Sequence, residues 1–533
     1  MTISGKAGTG KSILLETIAN IFIHLFGNPN ACKITAPTGS AANNINGTTN
    51  HYLFGINQTN QRDSEVGESV RSSVAERLNG TMCLLIDERS MLSAEILGKM
   101  AIVAQNVIAG GVLSHLDWGG LPFIIMFGDD MQLMSSDPGA SNCFDNDTTR
   151  HINTVQAEGY KQFLNFGSDT MELQTIKRQN PEERHFAQLL DKTRQDQLSP
   201  KYVALLQQYH LSRRDIYTPE DVTHIQEKAL FVYATHEPKD EHNKTQLKRI
   251  SSHDNPIAKL SPKSNRISSP TQPAVKRHFQ DNHQTVHSQP VLLCVGTRVA
   301  IAGRNFHPKY GLYNGAIGTV LEFHFEHGAN PNHGDFPTHI IVDFPKYTGP
   351  PWDKQHPTHI PVCPITVNCA KRCCQRKFIP LAVSFATTIH KCQGINVGPI
   401  TQSNSKKNDV DCIVVDIGNR AFEAIYPGTA YSAFSRGTTL GQEDPTTSAI
   451  FFIGNNLTNE RLINMHTVMR TGVLNKRVQR RNQWIAYQKR HTHKSNTTED
   501  QKNFLRKWIL TTTLTNYKPE DFYNITTTEP TIP

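Results

Sequence analysis

The stretch Gly5-Lys6-Ala7-Gly8-Thr9-Gly10-Lys11-Ser12 has the form G-x-x-x-x-G-K-S and decides the fold. Such a loop holds phosphates with backbone N–H groups at a helix N-terminus, and its glycines let the backbone approach closely. In this pattern Lys11 reaches the β- and γ-phosphates, and Ser12 binds Mg²⁺. Apolar residues follow at helical spacing, namely Ile13, Leu14, Ile18, Ile21, Phe22 and Leu25. The stretch predicts a phosphate loop that opens a helix, with a chance glycine turn as the alternative.

Three apolar runs, at residues 31–35, 81–86 and 123–127, predict buried strands. They alternate with helical stretches, which favours a parallel sheet with helices on both faces. Each run is followed by a polar motif, and ligands of such sheets bind at the carboxyl ends of the strands. The sequence therefore predicts an α/β fold with a single polar site at that edge.

Asp87 and Glu88 follow the second of these runs directly. An acidic pair in this position supplies a Mg²⁺ ligand and a carboxylate that activates water in phosphate-loop enzymes. Paired acids after an apolar strand are common, so the position downstream of a phosphate loop is what gives the pair its meaning.

The rest of the chain divides by composition. A second αβ region begins near Leu173, with a helix at 182–194 and a strand at 230–235; its sheet pattern resumes at 378–381 and at 411–416. Residues 57–72 are polar and suit a small insertion or hairpin rather than core. Residues 248–290 are rich in Ser, Pro, His, Asn and Lys and suggest a polar insertion or linker. Short strands with glycine turns from 290 to 346 predict a small β-barrel module.

The chain has 533 residues, a length sufficient for two to four domains. It is 37% hydrophobic and carries a formal net charge of +8, a mild excess that is compatible with nucleic-acid binding without requiring it. No apolar run has the length of a membrane span. Residues 476–494 are basic and contain Trp484 and Tyr487, which fits either a solvated helix face or a surface that binds a nucleic-acid backbone.

Ten cysteines without a secretory signal indicate reduced thiols in an intracellular compartment. A cluster near the middle of the chain raises the question of zinc: Cys363, Cys369, Cys373 and Cys374, with His356 and His359 nearby. The spacing matches no finger or ribbon, and adjacent cysteines are awkward tetrahedral ligands. The sequence therefore favours buried or surface thiols.

Taken together, the motifs resemble the Pif (petite integration frequency) family of superfamily-one DNA helicases, including the Pif-like enzymes of helitron-type elements. The resemblance follows the family's order over most of residues 3–470. It rests on these segments: GKAGTGKS, APTGSAANNINGTTNH, LLIDERSM, GDDMQL, IKRQN, GLYNGAIGTV, PLAVSFATTIHKCQG and YSAFSRG.

The resemblance implies two RecA-like domains with parallel sheets, ATP between them, and an inserted SH3-like barrel. The implied boundaries are as follows: 1–167 for the first RecA-like domain with a small insertion at about 52–75; 168–247 and 376–470 for the second; 248–289 for a polar linker; 290–375 for the barrel; 471–533 for a basic extension and tail.

The resemblance also assigns roles to single residues. In the phosphate loop Gly5, Ala7, Gly8, Thr9, Gly10, Lys11 and Ser12 hold the nucleotide. Ser12 and Asp87 bind Mg²⁺, and Glu88 activates water. Gln132 senses the γ-phosphate, while Arg178 and Arg436 are arginine fingers from the second domain. Such cations stabilise the charge of the transferring phosphoryl group.

For the nucleic acid, the matching positions are Pro37, Thr38, His51, Thr388 and His390, which line the family's single-strand groove. The implied cofactors are ATP and Mg²⁺, and the implied partners are single-stranded DNA and duplex junctions, acted on by a monomer that moves 5′→3′. Roles in repair, recombination or telomere maintenance follow from the family, with a nuclear or alternatively mitochondrial location.

Three departures qualify the resemblance. A glutamine-bearing segment that recognises adenine normally precedes the phosphate loop, and there is no room for it ahead of Met1. Arg89 follows Asp87-Glu88 where the family has an apolar residue, which places a cation beside the carboxylates and is expected to lower a carboxylate pKa. Met134-Ser135 replaces a Pro-Pro pair. The alternatives are therefore a hydrolysis-deficient, nucleic-acid-binding relic and an RNA-directed helicase or RecD-like subunit.

Overall fold

The chain forms two compact units in this computed structural model. The first comprises Met1–Asp221, Gln393–Gly398 and Ile417–Pro533, and the second Val222–Cys392 and Pro399–Asp416. No helix within the described ranges is both long enough and apolar enough to cross a membrane. The structure describes residues 1–56, 63–135, 141–144, 152–178, 183–267, 271, 288–303, 305–329, 334–369, 373–395, 397–398, 410–441, 443–468 and 471–493.

The first unit contains a six-stranded sheet in which every pair of neighbours runs parallel. Its strands are β1 (Thr2–Gly5), β2 (Cys32–Ala36), β3 (Thr48–Thr49), β4 (Cys83–Ile86), β5 (Phe123–Gly128) and β6 (Thr170–Leu173). Their order across the sheet is β3-β2-β4-β5-β1-β6. All four residues of β4 are buried, as expected for a strand covered on both faces. The three predicted strands are confirmed, with ends displaced by no more than two residues.

Strand β1 is only four residues long, yet it pairs on both sides. Ile3 lies opposite Phe127 of β5 and Met171 of β6, and it is 3% exposed. The stub of strand that the sequence allows ahead of the phosphate loop is thus an interior strand of the sheet. Strand β6, which begins the predicted second αβ region, pairs with β1 in this first sheet.

The described part of the first unit also contains eight α-helices between Met1 and Gln207. They are α1 (Lys11–Phe26), α2 (Gly39–Asn44), α3 (Asn50–Leu53), α4 (Glu68–Leu78), α5 (Ala94–Val107), α6 (Thr154–Gly167), α7 (Arg184–Arg194) and α8 (Pro200–Gln207). Helices α5 and α6 touch backbone to backbone, because a Cβ on Gly98 would lie 1.9 Å from the carbonyl oxygen of Val155. Glycine at this crossing is therefore a packing requirement.

The segment at 57–72, predicted as a small insertion or hairpin, is not a hairpin in the part that the structure describes, and its being an insertion stays a prediction. Residues 68–78 form helix α4, in which Val74 and Leu78 are buried. Two apolar side chains four residues apart suffice to fix a short helix on the core, even though the other positions are polar. Residues 57–62 lie outside the described ranges.

The second unit contains a parallel group of strands, β18-β7-β19. Here β7 (Leu230–Tyr233) is the middle strand, flanked by β18 (Ala386–Thr388) and β19 (Ile413–Asp416). Helix α9 (Pro219–Lys228) leads into this unit, which also holds α10 (His236–Ile250) and α11 (Ile389–Cys392). The predicted strands at 230–235 and 411–416 are confirmed.

An antiparallel sheet fills much of the second unit, with the order β14-β13-β12-β11-β17. Its strands are β11 (Arg298–Ile301), β12 (Ile317–His324), β13 (His339–Asp343), β14 (His359–Val362) and β17 (Leu381–Val383). Alternate residues such as Val299, Val320 and Val342 are fully buried and form its core. The expectation that residues 378–381 resume the parallel sheet is wrong, because Leu381 pairs antiparallel with Ile301.

Two smaller sheets complete the second unit. Strand β8 (Ala258–Leu260) pairs with β10 (Val291–Leu293). Strand β16 (Cys374–Phe378) lies between β15 (Ile365–Asn368) and β9 (Lys263–Arg266). The described part of the predicted linker 248–289 thus contains β8 and β9, and residues 268–270 and 272–287 lie outside the described ranges.

The C-terminal elements of the first unit are α12 (Arg420–Ile425), α13 (Thr429–Phe434), β20 (Ile450–Phe452), α14 (Asn459–Leu462) and α15 (Lys476–Arg490). Helix α15 is the predicted basic stretch, and one of its faces is buried. Trp484 stacks on Phe163 with ring centroids 4.2 Å apart, and its indole N–H donates to Asp130 at 3.1 Å. The basic helix is therefore part of the core on one side, which neither a solvated face nor a strand-binding surface explains.

Candidate nucleotide-binding site

The phosphate loop connects β1 to α1 and contains two residues with left-handed backbone. Gly8 has φ +80° and Gly10 φ +87°, a conformation that favours glycine. The ammonium of Lys11 donates to the carbonyl oxygens of Gly5 at 2.7 Å and Lys6 at 2.9 Å. Burial lowers the pKa of Lys11. The carbonyl oxygens of the loop therefore bind the ammonium of its own lysine. Helix α1 begins at this lysine, and the first N–H groups of a helix have no partner within the helix.

Asp87 and Glu88 lie where β4 ends. The backbone N–H of Glu88 donates to a carboxylate oxygen of Asp87 at 2.8 Å. Glu88 has φ +49°, a left-handed conformation that costs energy for a residue with a side chain and that concentrates at functional sites. Burial, together with the neighbouring Glu88 charge, raises the pKa of Asp87 to about 6.

Burial and the charge of Glu88 outweigh the lowering effect of Arg89 on the pKa of Asp87, and the Arg89 side chain pairs with a different carboxylate. Its guanidinium binds Asp130 through two bonds, Nε to Oδ1 at 3.0 Å and Nη2 to Oδ2 at 2.6 Å. Arg89 is 1% exposed, and a buried guanidinium needs such a paired carboxylate. The arginine therefore belongs to a buried ion pair next to the site.

Gln132 and Gln393 join the acidic pair to an arginine. The side-chain amide of Gln393 donates to Glu88 Oε2 at 3.2 Å and to Gln132 Oε1 at 3.3 Å. Arg436 Nη2 donates to the same oxygen of Gln132 at 3.4 Å. All four residues belong to the first unit. The structure thus brings the predicted site residues Glu88, Gln132 and Arg436 into one hydrogen-bonded group, joined by Gln393. The sequence quoted Gln393 within a motif but gave it no role.

Arg178 approaches the phosphate loop from its backbone. The N–H groups of Lys177 and Arg178 donate to the carbonyl oxygen of Gly8 at 2.7 and 3.1 Å. The Arg178 side chain donates to the carbonyl oxygen of Ser435 at 2.9 Å. Burial, and then the charge of Arg436, lowers the pKa of Arg178 to about 10. Two guanidinium groups therefore lie near each other beside the loop, a concentration of positive charge suited to polyanions.

Both arginines lie in the compact unit that contains the phosphate loop. The predicted boundaries instead place them in a second RecA-like domain. Those boundaries stay a prediction.

Tyr431 connects the loop to the strand motif after β5. Its hydroxyl donates to Asp129 Oδ2 at 2.8 Å and accepts the N–H of Ala7 at 3.1 Å. Asp129 also pairs with Arg194 at 3.1 Å. Burial raises the pKa of Tyr431 well above its usual range, so the hydroxyl keeps its proton. This tyrosine lies within YSAFSRG, but the sequence assigned it no role. Its partners, Asp129 and Ala7, are distant in the sequence and could not be identified from it.

Glu423 anchors α13, which carries Tyr431 and ends two residues before Arg436. Its buried carboxylate accepts N–H groups of Gly428, Thr429 and Ala430 at 2.7 to 3.1 Å, all at the N-terminus of α13. Burial opposes the charge, but the hydrogen bond from His466 and the charge of Arg461 lower the pKa of Glu423 to about 2. A carboxylate at a helix N-terminus is well matched to the exposed amides there.

We expect Glu423→Gln to destabilise the protein by about 3 kcal/mol at neutral pH, from the pKa difference of the carboxyl group. Because the folded pKa lies below the ordinary value of 4.5, the contribution is full above that pH and is lost as the pH falls through about 2. Urea unfolding at several pH values measures this. A wild-type-to-variant difference in unfolding free energy that does not shrink in acid contradicts the assignment.

Gly428, at the start of α13, packs against the loop of Gln132. A Cβ on Gly428 would lie 2.5 Å from the carbonyl oxygen of Met131, and its φ is +100°. We expect Gly428→Ala to lower the free energy of unfolding by more than the roughly 1–2 kcal/mol of left-handed strain alone. Gly472→Ala is the matched control, because Gly472 has φ +64° and open space around its Cβ. Equal losses in chemical denaturation would show that the close approach is unimportant.

The predicted strand-binding residues fall in both units. Pro37, Thr38 and His51 belong to the first unit, and Thr388 and His390 to the second. The Thr38 hydroxyl caps α2 by accepting the N–H of Ala41 at 3.2 Å, whereas His51 is exposed on α3. Thr388 is buried, and burial lowers the pKa of His390 to about 4. Their role in binding a strand stays a prediction.

The residues predicted to hold Mg²⁺ suit that ion in chemistry. Ser12 offers a hydroxyl at the start of α1, and Asp87 offers a buried carboxylate at the end of β4. Mg²⁺ takes hard oxygen ligands and keeps several waters, so one hydroxyl and one carboxylate are a sufficient protein contribution.

A loop of this form, between an interior parallel strand and the helix that follows it, is the phosphate-binding arrangement of nucleoside triphosphatases with a RecA-like fold. The family model described as PIF1-like helicase matches residues 1–199. The match covers the part of the chain that contains the phosphate loop and the Asp87-Glu88 pair.

Named relatives match the chain over regions of different length. The chain is 36% identical over 149 residues to ATP-dependent DNA helicase PIF4 of Trypanosoma brucei brucei, which is 27% of this chain and 17% of that protein. It is 26% identical over 459 residues to ATP-dependent DNA helicase PIF1 of Danio rerio, which is 82% of this chain and 57% of that protein. The matched region is thus little more than half of the zebrafish protein.

Solved structures share the fold. Pif1 helicase from Candida albicans matches with a TM-score of 0.61 and 20% identity, over 91% of this chain and 95% of that one. Pif1 helicase from Bacteroides, in complex with ADP-AlF3 and ssDNA, matches with a TM-score of 0.55 and 21% identity, over 87% and 90%.

Proposed function

We propose that this chain is an ATP-dependent DNA helicase that couples Mg-ATP hydrolysis to 5′→3′ movement on single-stranded DNA and to duplex unwinding. The observation that carries the proposal is the hydrogen-bonded group of Glu88, Gln132, Gln393 and Arg436 in the unit that contains the phosphate loop. The zebrafish relative is named as an ATP-dependent DNA helicase, and the Bacteroides Pif1 was solved with ADP-AlF3 and ssDNA. The polarity rests on the family resemblance alone.

Each residue has a distinct role in the proposed hydrolysis. Backbone N–H groups of Gly8 to Ser12 bind the phosphates, and Lys11 moves from the loop carbonyls to the β- and γ-phosphates. Mg²⁺, when bound by Ser12 and Asp87, neutralises charge on the phosphate oxygens. Glu88 takes a proton from the attacking water.

The remaining polar groups respond to the γ-phosphate. Gln393 and Arg436 both donate to Gln132 Oε1, so a movement of the Gln132 side chain alters both hydrogen bonds. Arg178 and Arg436 stabilise the charge of the transferring phosphoryl group. Tyr431, held by Asp129 and bonded to the loop at Ala7, keeps α13 next to the phosphates.

Several finer features belong to the same proposal. The sheet of β11–β14 and β17 corresponds to the inserted SH3-like barrel, and Pro37, Thr38, His51, Thr388 and His390 contact the strand. The protein acts as a monomer on single strands and duplex junctions in the nucleus or mitochondrion, in repair, recombination or telomere maintenance.

The test is ATP hydrolysis by the purified chain with and without single-stranded DNA, together with unwinding of duplexes that carry a 5′ or a 3′ tail. We expect DNA to stimulate hydrolysis, Lys11→Ala to abolish it, and only the 5′-tailed duplex to be unwound. Strand binding without turnover would instead identify a hydrolysis-deficient relic. Preferential stimulation by RNA would identify an RNA-directed enzyme.

A further inference from the structure

Three cysteines meet at the end of the hairpin formed by β15 and β16. Cys369 follows β15, Cys373 directly precedes β16, and Cys374 is the first residue of β16. The N–H of Cys369 donates to the carbonyl oxygen of Cys374 at 2.9 Å. The sulfur of Cys373 lies 3.7 Å from that of Cys369 and 3.7 Å from that of Cys374. All three sulfurs lie within 4.8 Å of one another.

These separations suit a tetrahedral metal centre. With Zn–S bonds of about 2.3 Å and tetrahedral angles, two sulfur ligands lie about 3.8 Å apart. A disulfide has sulfurs about 2.0 Å apart, far closer than observed here. Because Cys373 precedes β16 rather than lying inside it, its side chain is not forced to the face opposite that of Cys374. The adjacency of Cys373 and Cys374 in the sequence therefore does not keep their sulfurs apart, since these lie 3.7 Å from each other.

Two arginines share the sheet face that carries Cys374. Cys374 lies opposite Arg266 of β9 in register, and Arg376 lies two residues along β16 on the same face. Arg376 is 5% exposed, and Cys374 is fully buried. Positive side chains on this face suit a metal centre of net negative charge.

We propose that Cys369, Cys373 and Cys374 bind one zinc ion, with water as the fourth ligand. Binding of Zn²⁺ releases three protons, one from each thiol, and leaves a centre of net charge −1 beside the two arginines. Among the described residues no further Cys, His, Asp or Glu atom joins the three within 4.8 Å. The intervening Ala370, Lys371 and Arg372 carry no zinc ligand.

Cys363 does not belong to this site. Ile365 of β15 pairs with Phe378, whereas Asn368 at the other end pairs with Gln375. Cys363 therefore lies two residues before the Ile365–Phe378 pair, at the end of β15 that is remote from the three cysteines, about 7 Å beyond that pair. It is exposed, which makes Cys363→Ser a matched control on the same hairpin.

The experiment is a titration of the whole chain with Co²⁺, a spectroscopic substitute for zinc, after chelation under reducing conditions. We expect a thiolate-to-cobalt charge-transfer band that saturates at one equivalent and is bleached by Zn²⁺. Cys373→Ser should lose the band, and Cys363→Ser should keep it. A wild-type chain without the band, or Cys373→Ser with an undiminished band, overturns the proposal.

A second measurement does not depend on any variant folding. The wild-type chain is alkylated with and without Zn²⁺, and the modified cysteines are mapped by mass spectrometry. We expect Zn²⁺ to protect Cys373, the half-exposed member of the three, and to leave Cys363 reactive. Equal modification of Cys373 in both samples, or a disulfide among the three cysteines in the reduced preparation, overturns the proposal.

Discussion

Glu88→Gln is expected to lower the turnover number of DNA-stimulated ATP hydrolysis by about 10²–10⁴-fold, the range for loss of a general base. Glutamine has nearly the same shape but does not accept a proton from water. The Glu88 backbone holds the side chain in a left-handed turn directly after β4, and Gln393 bonds to its carboxylate at 3.2 Å. Nucleotide affinity should stay close to wild type, because the phosphate loop is untouched.

The measurement is steady-state hydrolysis together with the dissociation constant of a fluorescent ATP analogue. Glu68→Gln, an exposed change in the first turn of α4, serves as the charge-matched control and should retain full turnover. Turnover of Glu88→Gln close to wild type would refute the role as general base. A fall in nucleotide affinity alone would place Glu88 in binding instead.

Arg436→Ala is expected to lower the turnover number by about 10³-fold or more, as for arginines that stabilise the transferring phosphoryl group. Arg436 is 4% exposed, and its Nη2 donates to Gln132 Oε1 at 3.4 Å. A charge realised mainly in the transition state affects the turnover number and leaves the KM for ATP nearly unchanged. Arg436→Lys should recover little, because lysine lacks the planar fork.

Arg249→Ala, at an exposed position of α10, is the control for loss of a positive charge and should leave hydrolysis unchanged. Circular dichroism and the free energy of unfolding show whether Arg436→Ala folds; Arg436→Lys, which keeps the charge and most of the volume, gives the same comparison in a milder form. A raised KM with an unchanged turnover number would show that Arg436 binds ground-state ATP rather than assisting hydrolysis.

Much of the first sheet was predictable because its strands are buried on both faces. Runs such as Cys83–Ile86 are apolar throughout, and the polar motifs that follow them must meet at one edge. The phosphate loop was equally predictable, since Gly8 and Gly10 take backbone conformations that other residues avoid. Both features depend only on residues close together in the sequence, because burial and backbone stereochemistry restrict which residue types can occupy each position.

Side-chain partners across long separations were not predictable. Arg89 was expected beside the acidic pair, but it binds Asp130, 41 residues away. Gln393 reaches Glu88 over 305 residues. A charged residue only signals that a partner is needed when it is buried, and burial of a single arginine cannot be judged from composition. The short helix α4 was missed for a related reason, because two apolar contacts are a weak pattern.

The stacking of Trp484 on Phe163 has a consequence for how the molecule is made. Trp484 also bonds to Asp130, which lies 354 residues earlier and holds Arg89 beneath β1. The phosphate loop is synthesised long before Trp484, so the pocket around that ion pair can close only after α15 has been made. A chain whose translation stops before α15 therefore lacks the indole that bonds to Asp130, and its buried Arg89–Asp130 ion pair stays incompletely enclosed even though all the site motifs are present.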